Sequence, residues 1–232
     1  MQRWGHLLAA AAIGIAAPAF AQDADVAPVA APKPLPAAPV VLVDNDVSPF
    51  YAAHPGTLLW LRNDDTKAAA SKLVTILKRA PIDGLADGPT LASSVEAALG
   101  AGTPADDQVI STAWVRYVQA LRKPVGGVSF GDPSLQLRPP SATDVLLTTL
   151  NAPSLAAHVD AVASVNPFYS ALRDDAIAAG QQDDPHVRAT LDRLRLVPAK
   201  GRAILVDAAN AQLMELEDGK VVDTMKVIVG KP

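Results

Sequence analysis

The chain has no cysteine at all, and this excludes every mechanism that needs a thiolate nucleophile or a thiolate metal ligand within these 232 residues. Disulfide staples are excluded with it, although a domain of this size can bury enough apolar surface to hold without them. Histidine is scarce too. Four are present, one of them in the first 21 residues, and none forms the His-x-x-x-His or His-Glu-x-x-His spacing of a helical metal site. No Gly-x-Ser-x-Gly elbow or Ser-x-x-Lys pair marks a serine nucleophile. A surplus of one charge is also lacking. With 20 basic and 24 acidic residues the chain has no electrostatic footprint for nucleic acid. No internal repeat is visible.

What is present begins with an export signal. Arg3 stands near the terminus, an apolar run covers residues 7–17, and Ala19-Phe20-Ala21 places small residues where a signal peptidase inspects the chain. Cleavage is expected before Gln22. The run is shorter than the roughly 20 apolar residues of a membrane-spanning helix, so no integral membrane segment is expected after cleavage, and the product is expected in the periplasm. Residues 22–46 are rich in Ala and Pro, with Ala31-Pro32-Lys33-Pro34-Leu35-Pro36 at their centre. Such a stretch favours extended geometry and reads as a linker.

Bulk gathers from residue 47 on: Phe50, Tyr51, Leu58, Leu59, Trp60 and Leu61. Asp64 and Asp65 then stand where an N-cap is expected, and Ala69, Leu73, Ile76, Leu77 and Ala80 recur at helical spacing up to Pro81. Asp83-Gly84-Leu85 reads as a turn with Gly84 free to take a positive φ. A short helix is expected over 90–99, ending at Gly100. Thr103-Pro104-Ala105-Asp106 combines a hydroxyl cap, a proline at the first helical position and an early acid, and opens a helix carrying Ile110, Trp114, Tyr117, Val118 and Leu121. Ser141, Ser154, Pro167 and Pro185 each open a further helix. Residues 123–140, with three glycines and four prolines, are the main irregular stretch.

After Pro198 the period changes. Residues 203–207 form an apolar run of strand length, 212–216 alternate, and Asp218-Gly219 is a strong hairpin signal before 221–229. The expected class is α+β: a mainly helical domain at 47–198 and an incomplete antiparallel β segment at 199–232, its strands breaking off before a β domain could close.

Few residues qualify as site candidates. His54, His158 and His186 remain after export, and His158 shares a helix with Leu155 and Val162, which favours a core-edge or surface role over that of a base. The acidic pairs Asp64-Asp65, Asp106-Asp107 and Asp183-Asp184 each sit at an expected helix start, where negative charge gains roughly 0.3–1 kcal/mol from the helix dipole. Capping is preferred over cation binding. Trp60, Trp114, Tyr117 and Tyr169 could stack on sugar rings, yet Trp114 and Tyr117 lie on one stripe with Ile110 and Leu121, which favours the core. No catalytic, cofactor-binding or metal-binding residue is assigned, and no cofactor is expected.

Taken in order, Leu59-Trp60, residues 80–85 (APIDGL), 113–117 (AWVRY), Asn166-Pro167-Phe168-Tyr169, 187–198 (VRATLDRLRLVP), 202–207 (RAILVD) and 225–232 (MKVIVGKP) resemble the large periplasmic L,D-transpeptidases of Gram-negative bacteria, from about Phe50 to the end. The resemblance implies a helical scaffold domain followed by the first strands of a catalytic domain. It also implies peptidoglycan cross-linking by a cysteine thiolate, assisted by a histidine, both located after the position equivalent to Pro232. The chain departs from the family at Ala189-Thr190, where an Asn tends to precede the Leu, and has no room between Tyr169 and Val187 for the peptidoglycan-binding module of some relatives. Two readings follow: a truncated L,D-transpeptidase-like chain, inactive by itself, or a noncatalytic periplasmic scaffold that binds murein or a partner cell-wall enzyme. A third, an unrelated helical adaptor, would require the last strands to be helical or disordered.

Overall fold

The computed structural model describes residues 45–123 and 137–230, all within the compact unit Ala37–Pro232. The expected export signal, the linker up to residue 44 and most of the irregular stretch 123–140 lie outside the described residues. Among the described residues the order is α1 (Ser48–Ala53), α2 (Asp64–Arg79), α3 (Gly88–Ala101), α4 (Pro104–Leu121), α5 (Ala142–Leu150), α6 (Leu155–Ser164), α7 (Pro167–Ala178), α8 (Pro185–Leu194), then strands β1 (Arg202–Asp207), β2 (Gln212–Glu217) and β3 (Lys220–Lys226). The class is α+β.

Local chemistry sets most of these boundaries. Helix α4 starts in a capping box: the Thr103 hydroxyl accepts from the Asp106 amide, and the Asp106 carboxylate accepts from the Thr103 amide at 2.7 Å. Ser141, Ser154 and Asn166 cap α5, α6 and α7 in the same sense. Two starts differ from expectation. The cap of α2 is Asn63, boxed with Thr66, while Asp64 and Asp65 occupy the exposed first turn. Helix α3 begins at Gly88, two residues before Thr90, and ends on Gly102 in the left-handed region instead of at Gly100. The short α1, with Phe50 fully buried, carried too little periodicity to be expected.

The early helices pack around one stripe. Helix α2 turns Ala69, Leu73 and Leu77 inward onto α3, α4 and α6, and Trp60 and Trp114 meet edge to face at 6.0 Å in the centre. A Cβ on Gly88 would stand 2.5 Å from the Leu77 carbonyl oxygen and 2.8 Å from the Ala80 Cβ. Hence α2 and α3 approach each other as closely as they do only because that position is glycine.

The three strands form an antiparallel sheet in the order β1-β2-β3. Asp218 and Gly219, at φ 50° and 73°, make the tight β2–β3 turn whose two positive φ values suit the twist of the flanking strands. The last strand stops at Lys226, short of the expected 229. Register places Ile204, Val206, Leu213 and Met225 on one face and Ala203, Leu205, Met214, Leu216 and Val221 on the other. Leu216 is buried, whereas Ile204 is 68 %, Val206 48 % and Met225 53 % exposed.

Candidate functional site

Two buried carboxylates organise the helical body, and the sequence pattern pointed to neither. Asp83 follows α2 in what reads as a simple turn, and Gly84 does take φ 90° there. Yet the Asp83 side chain is wholly buried. One carboxylate oxygen accepts from the Tyr117 hydroxyl of α4 and the other from the Tyr169 hydroxyl of α7, both at 2.9 Å. The guanidiniums of Arg79 and Arg173 lie 3.5 and 3.7 Å away, and the Asp83 carbonyl accepts from Arg195 Nη2 at 2.7 Å. Both phenols are pushed well above the ordinary tyrosine range, first by burial and then by the nearby Asp83 charge.

Asp107 corrects the expectation of a capping pair. Asp106 does cap α4, and its carboxyl is lowered by its bonds from Thr103. Asp107 instead points into the core, where its carboxylate accepts from the backbone amides of Leu59, Trp60 and Leu61 at 2.8–2.9 Å and from the Tyr51 hydroxyl at 2.6 Å. One carboxylate thus satisfies three consecutive amides of a segment with no ladder of its own. Tyr51 also meets Ser111 Oγ, which accepts from the Trp60 indole at 2.9 Å. Burial, then the bond to Asp107, raises the Tyr51 phenol strongly.

The other candidates have local roles. His54 stacks on Phe50 and holds its carbonyl. His158 of α6 lies half-buried with its ring edge-on to Trp114 at 5.8 Å, and burial lowers its pKa. His186 is exposed in the first turn of α8. Asp184 caps α8 and Asp183 pairs with Arg188 at 2.7 Å. Trp60, Trp114, Tyr117 and Tyr169 are all fully buried, the core role that helical spacing favours for Trp114 and Tyr117. Among the described residues no group of three or more His, Asp or Glu is placed to hold a metal ion, and no helix is long and apolar enough to cross a membrane.

The helical body meets the sheet through a small set of contacts. Asn166 is buried, and its Oδ1 caps α7 by accepting from the Tyr169 amide at 2.9 Å. Its Nδ2 simultaneously donates to the carbonyls of Leu194 and Val197 at 2.8 and 3.0 Å. That clamps the exit from α8. The next residue, Pro167, receives the hairpin tip: a Cβ on Gly219 would fall 2.9 Å from Pro167 Cδ. Asp218 and Gly201 close the base of the sheet with bonds in both directions, at 2.8 and 2.9 Å.

Beside this junction lies a cleft of about 820 Å³ between the end of α4, α5, α6 and the segment 195–200. Its walls include Leu121, Val145, Val162 and Val197, and its charged groups are Arg122, Arg138, Arg195, Lys200 and Asp144.

A family model described as the Scaffold domain matches residues 45–175. It covers more than half of the chain, from before α1 to near the end of α7. The chain belongs to that family, a domain that occurs in L,D-transpeptidases. Comparisons with curated proteins and with solved structures give no match.

Proposed function

We propose that this chain is an L,D-transpeptidase-like protein of peptidoglycan cross-linking, in which the helices at 47–198 carry the opening strands, 199–232, of a catalytic domain. On this reading the nucleophilic cysteine and its histidine are supplied by sequence after Pro232, and residues 22–232 alone are inactive. The observation that carries the proposal is the sheet. Apolar side chains occur on both of its faces; on one, Ile204, Val206 and Met225 are turned to water among Glu215, Glu217 and Asp223, and β1 and β3 are the edge strands. Large aliphatic side chains exposed on a sheet face, next to two edge strands, are what the rest of a larger domain would cover. Export by a cleavable signal, with a periplasmic mature protein starting at Gln22, is part of the same proposal.

The test is to read the coding DNA beyond the codon for Pro232. A histidine followed by a Ser-x-Gly-Cys motif is expected, and unrelated sequence overturns the catalytic reading. By intact mass, purified residues 22–232 are expected to take up no carbapenem, whereas the chain extended through that motif takes up one equivalent. The second reading, a noncatalytic scaffold holding murein or a partner enzyme, draws support from the cleft, which does not depend on any catalytic residue. Retention on purified murein sacculi by residues 22–232 is its measurement.

A further inference from the structure

We infer that the strands are fixed to the helical body at one angle by a keyed contact at the β2–β3 turn, in which Gly219 is the key and Asn166 and Pro167 are the residues that position it. Parts of a chain that share only a small interface move against each other by default. A ribbon joined to the helices by a single passage, residues 198–201, would on that ground swing about it. Burial points the other way. Among the described residues of 199–230 only Leu216 and Gly219 are buried, and they lie at the end of β2 and in the turn that follows it. The turn is therefore a second point of attachment, while the rest of the ribbon stays open to water.

The contact requires glycine for two separate reasons. Gly219 holds φ 73°, a conformation that asparagine and aspartate also tolerate. A Cβ there, however, would stand 2.9 Å from Pro167 Cδ, 3.2 Å from Pro167 Cγ and 3.4 Å from the Ala199 carbonyl oxygen. The turn thus lies against the first residue of α7 and against the passage into β1. Gly201 is the contrast: its φ is 79°, yet nothing stands within 4 Å of its Cβ position. One glycine serves the backbone alone, and the other also makes room for a neighbour. Both ends of the passage are held as well. On the helical side Asn166 grips the Leu194 and Val197 carbonyls, and the buried Arg195 donates to the carbonyls of Ala120 at 3.1 Å and Asp83 at 2.7 Å. The chain accordingly leaves α8 from a point tied to α4, to α7 and to the turn after α2. On the sheet side the mutual bonds of Gly201 and Asp218 join the entry of β1 to the turn. Swinging about 198–200 cannot occur without drawing Gly219 off Pro167.

The functional meaning rests on the cell-wall reading above, while the contact itself does not: a catalytic domain opened by these strands is presented without a hinge. The absence of cysteine makes the test direct. Residues 22–232 carrying Ser94→Cys on α3 and Thr224→Cys on β3, both exposed positions, take a pair of spin labels, and dipolar spectroscopy reads the spread of distances between body and sheet. One narrow peak is expected. Gly219→Ala should lose that peak to a broad distribution while the helical far-ultraviolet signal stays, whereas Gly201→Ala, equally strained at φ, should keep it. Pro167→Ala added to Gly219→Ala removes the ring carbons nearest the new Cβ and should bring the narrow peak back. Asn166→Ser keeps a cap of the kind that Ser141 and Ser154 supply but loses the donors to Leu194 and Val197, and should also broaden it. A broad distribution in the parent, an unchanged peak in Gly219→Ala, or equal broadening by Gly201→Ala overturns the fixed joint. A double variant that stays broad overturns the role of Pro167, and a narrow peak in Asn166→Ser overturns that of Asn166. None of these outcomes alters the downstream-DNA test of the catalytic reading.

Discussion

Asp83 is the residue on which most of the helical body converges, because its side chain and carbonyl meet groups from α2, α4, α7 and the exit of α8. Removing one partner of such a buried set strands the other charges, so Asp83→Ala is expected to cost about 3–5 kcal/mol, read as a shift in the urea midpoint. The three tyrosines of the chain all donate to buried carboxylates, Tyr51 to Asp107 and the other two to Asp83. Each phenol is raised in the folded state from its ordinary value of about 10. Above that pH the unfolded chain loses phenolic protons that the folded chain keeps, so their contribution is complete below pH 10 and is lost as pH rises through the folded values. Tyrosinate absorbance and unfolding should therefore rise together on alkaline titration; tyrosinate appearing near pH 10 with the helical signal intact would refute this. None of these networks was legible in the sequence. Asp83 looked like a turn residue and Asp107 like the second half of a cap, because local pattern reports where a carboxylate sits along a helix and not which distant amides or hydroxyls reach it.

At the scale of the element, the sequence reads well wherever a local signal does the physical work. Thr103, Ser141 and Ser154 start helices because their hydroxyls accept from amides that have no other partner, and Asp218-Gly219 turns a hairpin because both positions tolerate positive φ. It reads less well where a neighbour sets the limit. Helix α3 starts earlier than its apolar spacing implies because Gly88 is pressed against α2, a contact that only the tertiary fold creates. Gly88→Ala should force those helices apart and destabilise by about 1–3 kcal/mol, the usual range for overpacking, measured by thermal unfolding. Equal stability would mean that α2 and α3 can separate freely. The cleft was invisible for the same reason: Arg122, Arg138 and Lys200 are far apart in the chain, and nothing in their spacing shows that they line one groove.

The whole molecule divides into a helical part that closes its own core and a ribbon that does not. The core cluster runs from Val47 to Leu191 and draws no member from the strands. Deleting residues 199–232 should therefore keep the helical far-ultraviolet signal and lower the binding of a hydrophobic dye, because the exposed face leaves with the strands. Loss of helical signal on that deletion would show the ribbon to be part of the core. The α+β class was readable because the switch from helical to strand periodicity after Pro198 is abrupt; how the two parts join was not, since Asn166, Pro167 and Gly219 meet only in three dimensions.

The double duty of Asn166 has a consequence in time. The helical core closes without any residue of the strands, so α7 and its cap can form before the sheet docks. The same side chain that starts α7 then catches the chain as it leaves α8, and Pro167 offers a seat for a hairpin not yet formed. The ribbon thus arrives at a berth already prepared for it, and whatever folds onto its open face inherits an orientation chosen by the helices.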